Sequence, residues 1–153
     1  MKKFELTAEF VTNVFGEKLF RIKALVAFGN VEKGELGGFI EKEDNLSHDG
    51  NAWVYGDAQV SGNARVYGDA RVSGNAWVYG DADYATVKGF GRFFRATTFF
   101  RCKDKILRVQ CGCFYGDLEQ FREIVKKTHG DSKRAKEYLA IADLMELHFA
   151  EEE

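Results

Sequence analysis

A period of six residues in the middle of the chain restricts its fold more than any other feature. Residues 50–85 divide into six consecutive hexapeptides: GNAWVY, GDAQVS, GNARVY, GDARVS, GNAWVY and GDADYA. Each begins Gly-Asn or Gly-Asp and has Ala in third place; five carry Val in fifth place, where the last has Tyr84. Six is neither a helical period nor a simple strand alternation, and it fits a parallel β-solenoid of short strands and tight corners. Val54, Val60, Val66, Val72 and Val78 then point inward. Ala52, Ala58, Ala64, Ala70, Ala76 and Ala82 fill the narrow interior beside the corners, and the glycines supply positive-φ corner geometry. Sixteen glycines without a single proline agree with this reading, because backbone ladders have few places for a residue lacking an N–H.

These repeats resemble the left-handed β-helix, or hexapeptide-repeat, family, in which three hexapeptides make one triangular coil. Tyr or Ser follows the inward Val here, where the family more often has a small or acidic residue. An 18-residue coil places Asn51 over Asp69, Asp57 over Asn75 and Asn63 over Asp81, so no two of these carboxylates stack about 4.8 Å apart. It also places Tyr55 over Ser73, Ser61 over Tyr79, Trp53 over Arg71 as a cation–π pair, and Arg65 over Asp83 as a salt bridge.

The flanks read differently. Leu19 to Leu25 alternates as a half-buried strand with Phe20, Ile22 and Ala24 on one face, and Phe15 to Lys18 is its hairpin turn. Gly34 to Ser47 is an irregular entry coil. Ile40 and Leu46 keep the six-residue step, but Val54 follows eight later, so two extra residues around His48 break register. Phe93 to Cys102 and Ile106 to Cys111 read as two strands. Asp117 to Gln120 is a capping box opening a helix with Leu118, Phe121, Ile124 and Val125 buried, ended by Gly130. A second helix from Ser132 to Phe149 buries Ala135, Tyr138, Leu139, Ala142, Met145 and Phe149. The expected fold is mainly β with α: a short left-handed parallel β-helix of two to three coils with an N-terminal β-hairpin cap and a C-terminal β-hairpin plus two helices. The corresponding divisions are 1–33, 34–87 and 88–153. The layout, including Cys111-Gly-Cys113-Phe114 and Thr128-His129-Gly130-Asp131, resembles a group of phage and prophage hexapeptide-repeat proteins whose functions are largely unassigned.

Charge is segregated. Residues 86–111 carry seven cations and one anion, a local net of +6, while the rest holds 15 cations against 23 anions, a net of −8. An acidic remainder repels a long nucleic acid. No apolar run approaches the roughly 18 residues of a membrane span, and Met1-Lys2-Lys3 leads into Phe4-Glu5-Leu6 rather than a signal core, so a cytoplasmic protein is expected (host cytoplasm on the phage resemblance). Cys102, Cys111 and Cys113 lack paired Cys-x2-Cys spacing and read as core thiols, with no metal and no cofactor expected. His48, flanked by Asp49, is the candidate general base if the chain follows the acyltransferases of the hexapeptide family; no acid–base constellation accompanies it.

The sharper candidate is an anion or nucleotide site, set against the alternative that these cations pair with the acidic remainder of the chain or of a neighbouring subunit. Strand alternation puts Arg95, Phe99, Arg101 and Lys103 on one face, joined by Arg92, Lys105 and Arg108, with Phe99 stacking on a base. Arg101 is expected to be solvated, so that its removal costs affinity and not stability. Two regular coils are few for a stable solenoid. The outward Trp53, Tyr55, Tyr67, Trp77 and Tyr79 are therefore expected at an oligomer interface, a side-by-side homotrimer on the family resemblance. The expected function is a non-enzymatic oligomeric binding protein of phage type that sequesters an anionic small molecule, such as a nucleotide signal, or a host protein, in antagonism of host defence. The alternatives are an acyltransferase-like enzyme using His48 and a structural assembly module.

Overall fold

The chain opens on an antiparallel hairpin of β1 (Phe4–Thr12) and β2 (Lys18–Ala24). Its turn is organised by Asn13, whose Oδ1 accepts the Phe15 and Glu17 N–H groups, both at 3.0 Å. β3 (Leu36–Ile40) pairs antiparallel with β2. The computed structural model describes residues 2–80, 83–91, 96–112 and 114–150, and the fold is mixed β with two helices. None of the described helices is long and apolar enough to cross a membrane.

The repeats contribute only stubs of strand: β4 (Trp53–Val54), β5 (Gln59–Val60), β6 (Arg71–Val72) and β7 (Trp77–Val78). All pair in parallel, as β3–β5–β7 and β4–β6, with a further parallel bridge from Leu46 to Val66. Trp53 lies opposite Arg71 and Gln59 opposite Trp77, steps of 18 residues, whereas Phe39 to Gln59 and Leu46 to Val66 are steps of 20. Only the longer steps span the segment around His48, so the two extra residues read from the sequence are accommodated there. Val54, Val60, Val66, Val72 and Val78 are fully buried with Ile40 and Leu46, and Ala52, Ala58, Ala64, Ala70 and Ala76 fill the space between them. Ala82 lies outside the described residues.

The parallel run stops at Tyr84. That residue takes the sixth valine place, but its hydroxyl donates to the Arg65 carbonyl, and β8 (Tyr84–Val87) turns into an antiparallel pairing with β9 (Thr97–Arg101). β10 (Leu107–Cys111) and β11 (Phe114–Asp117) complete a four-stranded sheet in the order β11–β10–β9–β8. The expected C-terminal hairpin is thus the centre of a larger sheet. β8 was hidden inside the last repeat, and β11 is too short to show alternation. Of the strand read from Phe93, residues 93–95 lie outside the described residues.

α1 (Leu118–His129) starts at the expected capping box, with Asp117 Oδ1 accepting the Gln120 N–H at 2.8 Å and Gln120 Oε1 accepting the Asp117 N–H at 2.9 Å. α2 (Lys133–Phe149) is capped by Ser132. Leu118, Phe121 and Val125 are buried, but Ile124 is exposed, lying at the edge of the α1 stripe. On α2, Ile141 is buried where Leu139 was expected, and Leu139 is half-buried.

β9 joins the two parts. Phe100 enters the solenoid core, while Phe99 packs with Phe121 and the helices. The strand packs on the end of the parallel repeats through an Ala76–Cys102 bridge, a Lys103 N–H to Asn75 carbonyl bond of 3.0 Å, and an Arg71 N–H to Thr98 Oγ1 bond of 3.0 Å. At the other end, a Cβ on Gly37 would lie 2.6 Å from the Val54 carbonyl and 2.7 Å from both Ile22 Cγ1 and Trp53. Gly37→Ala is therefore expected to destabilise the protein by about 1–3 kcal/mol through overpacking against backbone, read as a lower urea midpoint with unchanged slope.

Candidate functional site

The basic strand does not present the expected cations beside a ring. Phe99 is fully buried, because β9 has a core on each side and neither face meets solvent. Arg101 is a tie between elements: its Nε lies 3.3 Å from Asp83 Oδ1, its NH2 donates to the Phe149 carbonyl at 3.1 Å, and its guanidinium lies over the Phe149 ring. Asp83 Oδ2 in turn accepts the Tyr79 and Gly80 N–H groups. Arg108 donates to Asp104 at 2.8 Å and to Asn75 at 3.4 Å, and the Arg108 guanidinium holds the Asp104 carboxyl down at about 2. Lys103 and Lys105 are exposed on the turn between β9 and β10. Arg92 and Arg95 lie outside the described residues. Of the named set, the described cations are divided between internal ion pairs and one turn, with no shared cleft.

Cys102 is buried, which pushes its thiol up, and Cys111 Sγ accepts the Thr97 hydroxyl at 3.2 Å. Cys113 lies outside the described residues. Among the described residues no three of His, Cys, Asp and Glu gather as metal ligands.

Both nitrogens of His48 are engaged. Nδ1 accepts the Lys3 backbone N–H at 3.0 Å, and Nε2 lies 3.2 Å from Glu43 Oε1. A ring that accepts at Nδ1 carries its proton on Nε2, where it donates to Glu43. The imidazole also stacks on Phe4 at 4.2 Å. Lys3 completes the strap: its ammonium donates to the Ala52 carbonyl at 2.7 Å and the Gly50 carbonyl at 3.3 Å, over the Phe28 ring. Burial pulls the Lys3 amine down to about 8.

Of the residues expected at an oligomer interface, Trp53 is fully buried, covered by Phe4 and Phe28 at ring distances of 6.4 and 5.3 Å. The N-terminal hairpin and the loop after it lie over that side of the coil. Tyr55 is half-buried and donates to Asn30 Oδ1 at 2.8 Å. Trp77 is half-buried against Tyr79, whose ring also meets Phe15. Tyr67 and Tyr79 remain open to solvent, at 59% and 46% exposure.

A cleft that the sequence did not single out lies on the Trp53–Arg71 side of the coil. It has a volume of about 250 Å³ and is lined by Gly29, Asn30, Asn51, Asp69, Arg71, Lys88, Ala96 and Gly112. Five parts of the chain converge here: the loop after β2, the stacked repeats, the residue after β8, the residue before β9 and the β10–β11 turn. Arg71 projects from the coil under Tyr55, its guanidinium 5.1 Å from that ring, and NH1 donates to the Gly112 carbonyl at 3.3 Å. Its Nε is buried and has no hydrogen-bond partner among the described residues. Lys88 pairs directly with Asp69 at the mouth. The expected Trp53–Arg71 cation–π contact is replaced by Arg71 on Tyr55, because Trp53 turns inward under the hairpin. The 18-residue stacking of Asn51 beside Asp69 was legible in the repeat; the approach of Asn30, Lys88 and Gly112 depends on non-repeat segments.

Over residues 58–70 and 64–80 the chain is similar to the YdcK β-solenoid repeat, which agrees with the parallel ladders and supports a β-solenoid type of protein. No curated protein matches the chain.

Two outcomes follow from these contacts. Arg101→Ala is expected to lower stability by about 1–2 kcal/mol by removing the contacts to Asp83 Oδ1 and the Phe149 carbonyl, measured by urea unfolding. For Lys3, the unfolded chain still holds between pH 8 and 10.5 a proton that the folded protein has released, so this group makes stability rise with pH across that window. The wild type is expected to gain stability relative to Lys3→Met as pH increases from 8 to 10.5, measured by paired unfolding curves.

Proposed function

We propose that this chain is a non-enzymatic binding protein that holds a small anionic molecule in the Arg71–Lys88 cleft. The carrying observation is the Arg71 Nε, a buried cationic donor without a partner among the described residues. Such a donor costs about 1–3 kcal/mol if left unmade, and an anion held against the lining Arg71 guanidinium beside Lys88 offsets the cost of keeping that cation partly buried. Small residues at Gly29, Ala96 and Gly112 keep the cleft open beside it. The His48 geometry supports binding over acyl transfer, since the imidazole has no lone pair left to take a proton from a substrate.

The platform in this reading is a short left-handed, three-sided β-helix of the hexapeptide type, a form supported by the 18-residue steps and the three parallel alignments. The exposed Tyr67 side is the face through which copies associate side by side as a trimer. On the resemblance to phage and prophage proteins, the ligand comes from the metabolite pool of a host cell.

Mass spectrometry of small molecules released on denaturing freshly purified protein tests the reading. Wild type is expected to release an anionic species at up to one per chain, intact, and Arg71→Gln is expected to release none while melting within a few degrees of wild type. Equal recovery from both proteins would remove Arg71 as the anchor.

A further inference from the structure

The cleft is not uniformly positive, and that decides what it fits. Among the described lining residues, Asp69 contributes a carboxylate beside the two cations Arg71 and Lys88, a net charge of +1 for that set. A phosphate dianion would meet Asp69 as a like charge at hydrogen-bond range. The volume of about 250 Å³ lies just under the roughly 300–1,000 Å³ of sites that enclose drug-sized ligands, which suits a small ligand.

Resting on the anion reading above, we propose that the cleft recognises a small zwitterion, a free α-amino acid in kind, with its carboxylate on Arg71 and Lys88 and its ammonium on Asp69. The Lys88–Asp69 pair already holds one cation and one anion together at the mouth, with the lysine 63% and the aspartate 31% exposed. An exposed pair of this kind contributes little by itself, so it opens readily. A zwitterion replaces that one contact with three, its ammonium taking the place of Lys88 on Asp69 and its carboxylate receiving both the freed lysine and the Arg71 guanidinium. Asn30 adds donors: its Oδ1 accepts the Tyr55 hydroxyl, which fixes the amide's oxygen end on the tyrosine and leaves its NH2 group as the donor for a ligand carboxylate. Gly29, at φ +51, keeps this wall low: a Cβ there would meet Asn51 Cβ at 3.4 Å. A ligand bearing only a carboxylate leaves Asp69 without a new partner, and a ligand bearing only phosphate opposes it.

Isothermal titration calorimetry on the full chain at low salt tests this. The probes are the twenty standard amino acids, their N-acetyl derivatives, inorganic phosphate and adenosine 5′-monophosphate. At least one free amino acid is expected to bind tenfold or more tightly than its N-acetyl form. Asp69→Asn is expected to remove that difference by weakening the free amino acid alone. The N-acetyl comparison uses only wild-type protein, so the test stands even if the Asp69 variant does not fold. Phosphate or the nucleotide binding more tightly than every amino acid, or acetylation leaving affinity unchanged, would overturn the zwitterion while the Arg71 anion site stands. No binding by any probe would overturn both.

Discussion

A parallel ladder made of two-residue stubs leaves unpaired backbone groups at each of its ends, and closing those ends shapes everything around the repeat. Unpaired buried backbone donors and acceptors are costly. The first end of the ladder is covered by β2 pairing with β3 and by Lys3, which donates to the carbonyls of Gly50 and Ala52. The last is covered by β9, through the Asn75 carbonyl, the Ala76–Cys102 bridge and the Arg71 N–H. Even the burial of a lysine ammonium makes sense in these terms, because its donors serve carbonyls that the ladder leaves over.

What the sequence made legible was whatever depended on local period. The inward valines, the alanines beside the corners, the two-residue break at His48 and the Asp117 capping box all follow from spacing within a few residues. Phe99 and Trp53 were misread for one shared reason. Strand alternation assigns a residue to a face but does not say whether a second layer covers that face. β9 carries the helices over Phe99, and the N-terminal hairpin carries Phe4 over Trp53. The cleft was hidden on the same grounds, since Asn30, Arg71, Lys88 and Gly112 meet only when three non-repeat segments fold against the coil.

The basic stretch from Lys88 to Arg108 illustrates how little a charge count says about a site. Arg101 and Arg108 neutralise Asp83 and Asp104, binding sheet to coil and strand to turn. Lys88 alone of the described cations in that stretch reaches the cleft. Arg71, which belongs to the repeat and lies outside the basic stretch, is the cation left with an unmet donor.

The placement of Phe100 has a consequence for how the chain is made. Synthesis runs from the N-terminus, so every coil has emerged before the strand that plugs the last one. At about 5–20 residues per second, the interval from Tyr84 to Cys102 lasts about 1–4 s. During it the Asn75 and Ala76 edge of the nascent solenoid has a free ladder and an open apolar end, the kind of edge that templates pairing with another chain. The nascent protein therefore needs this interval to be short or shielded, and pairing with β9 is the step that covers this end of the parallel ladder.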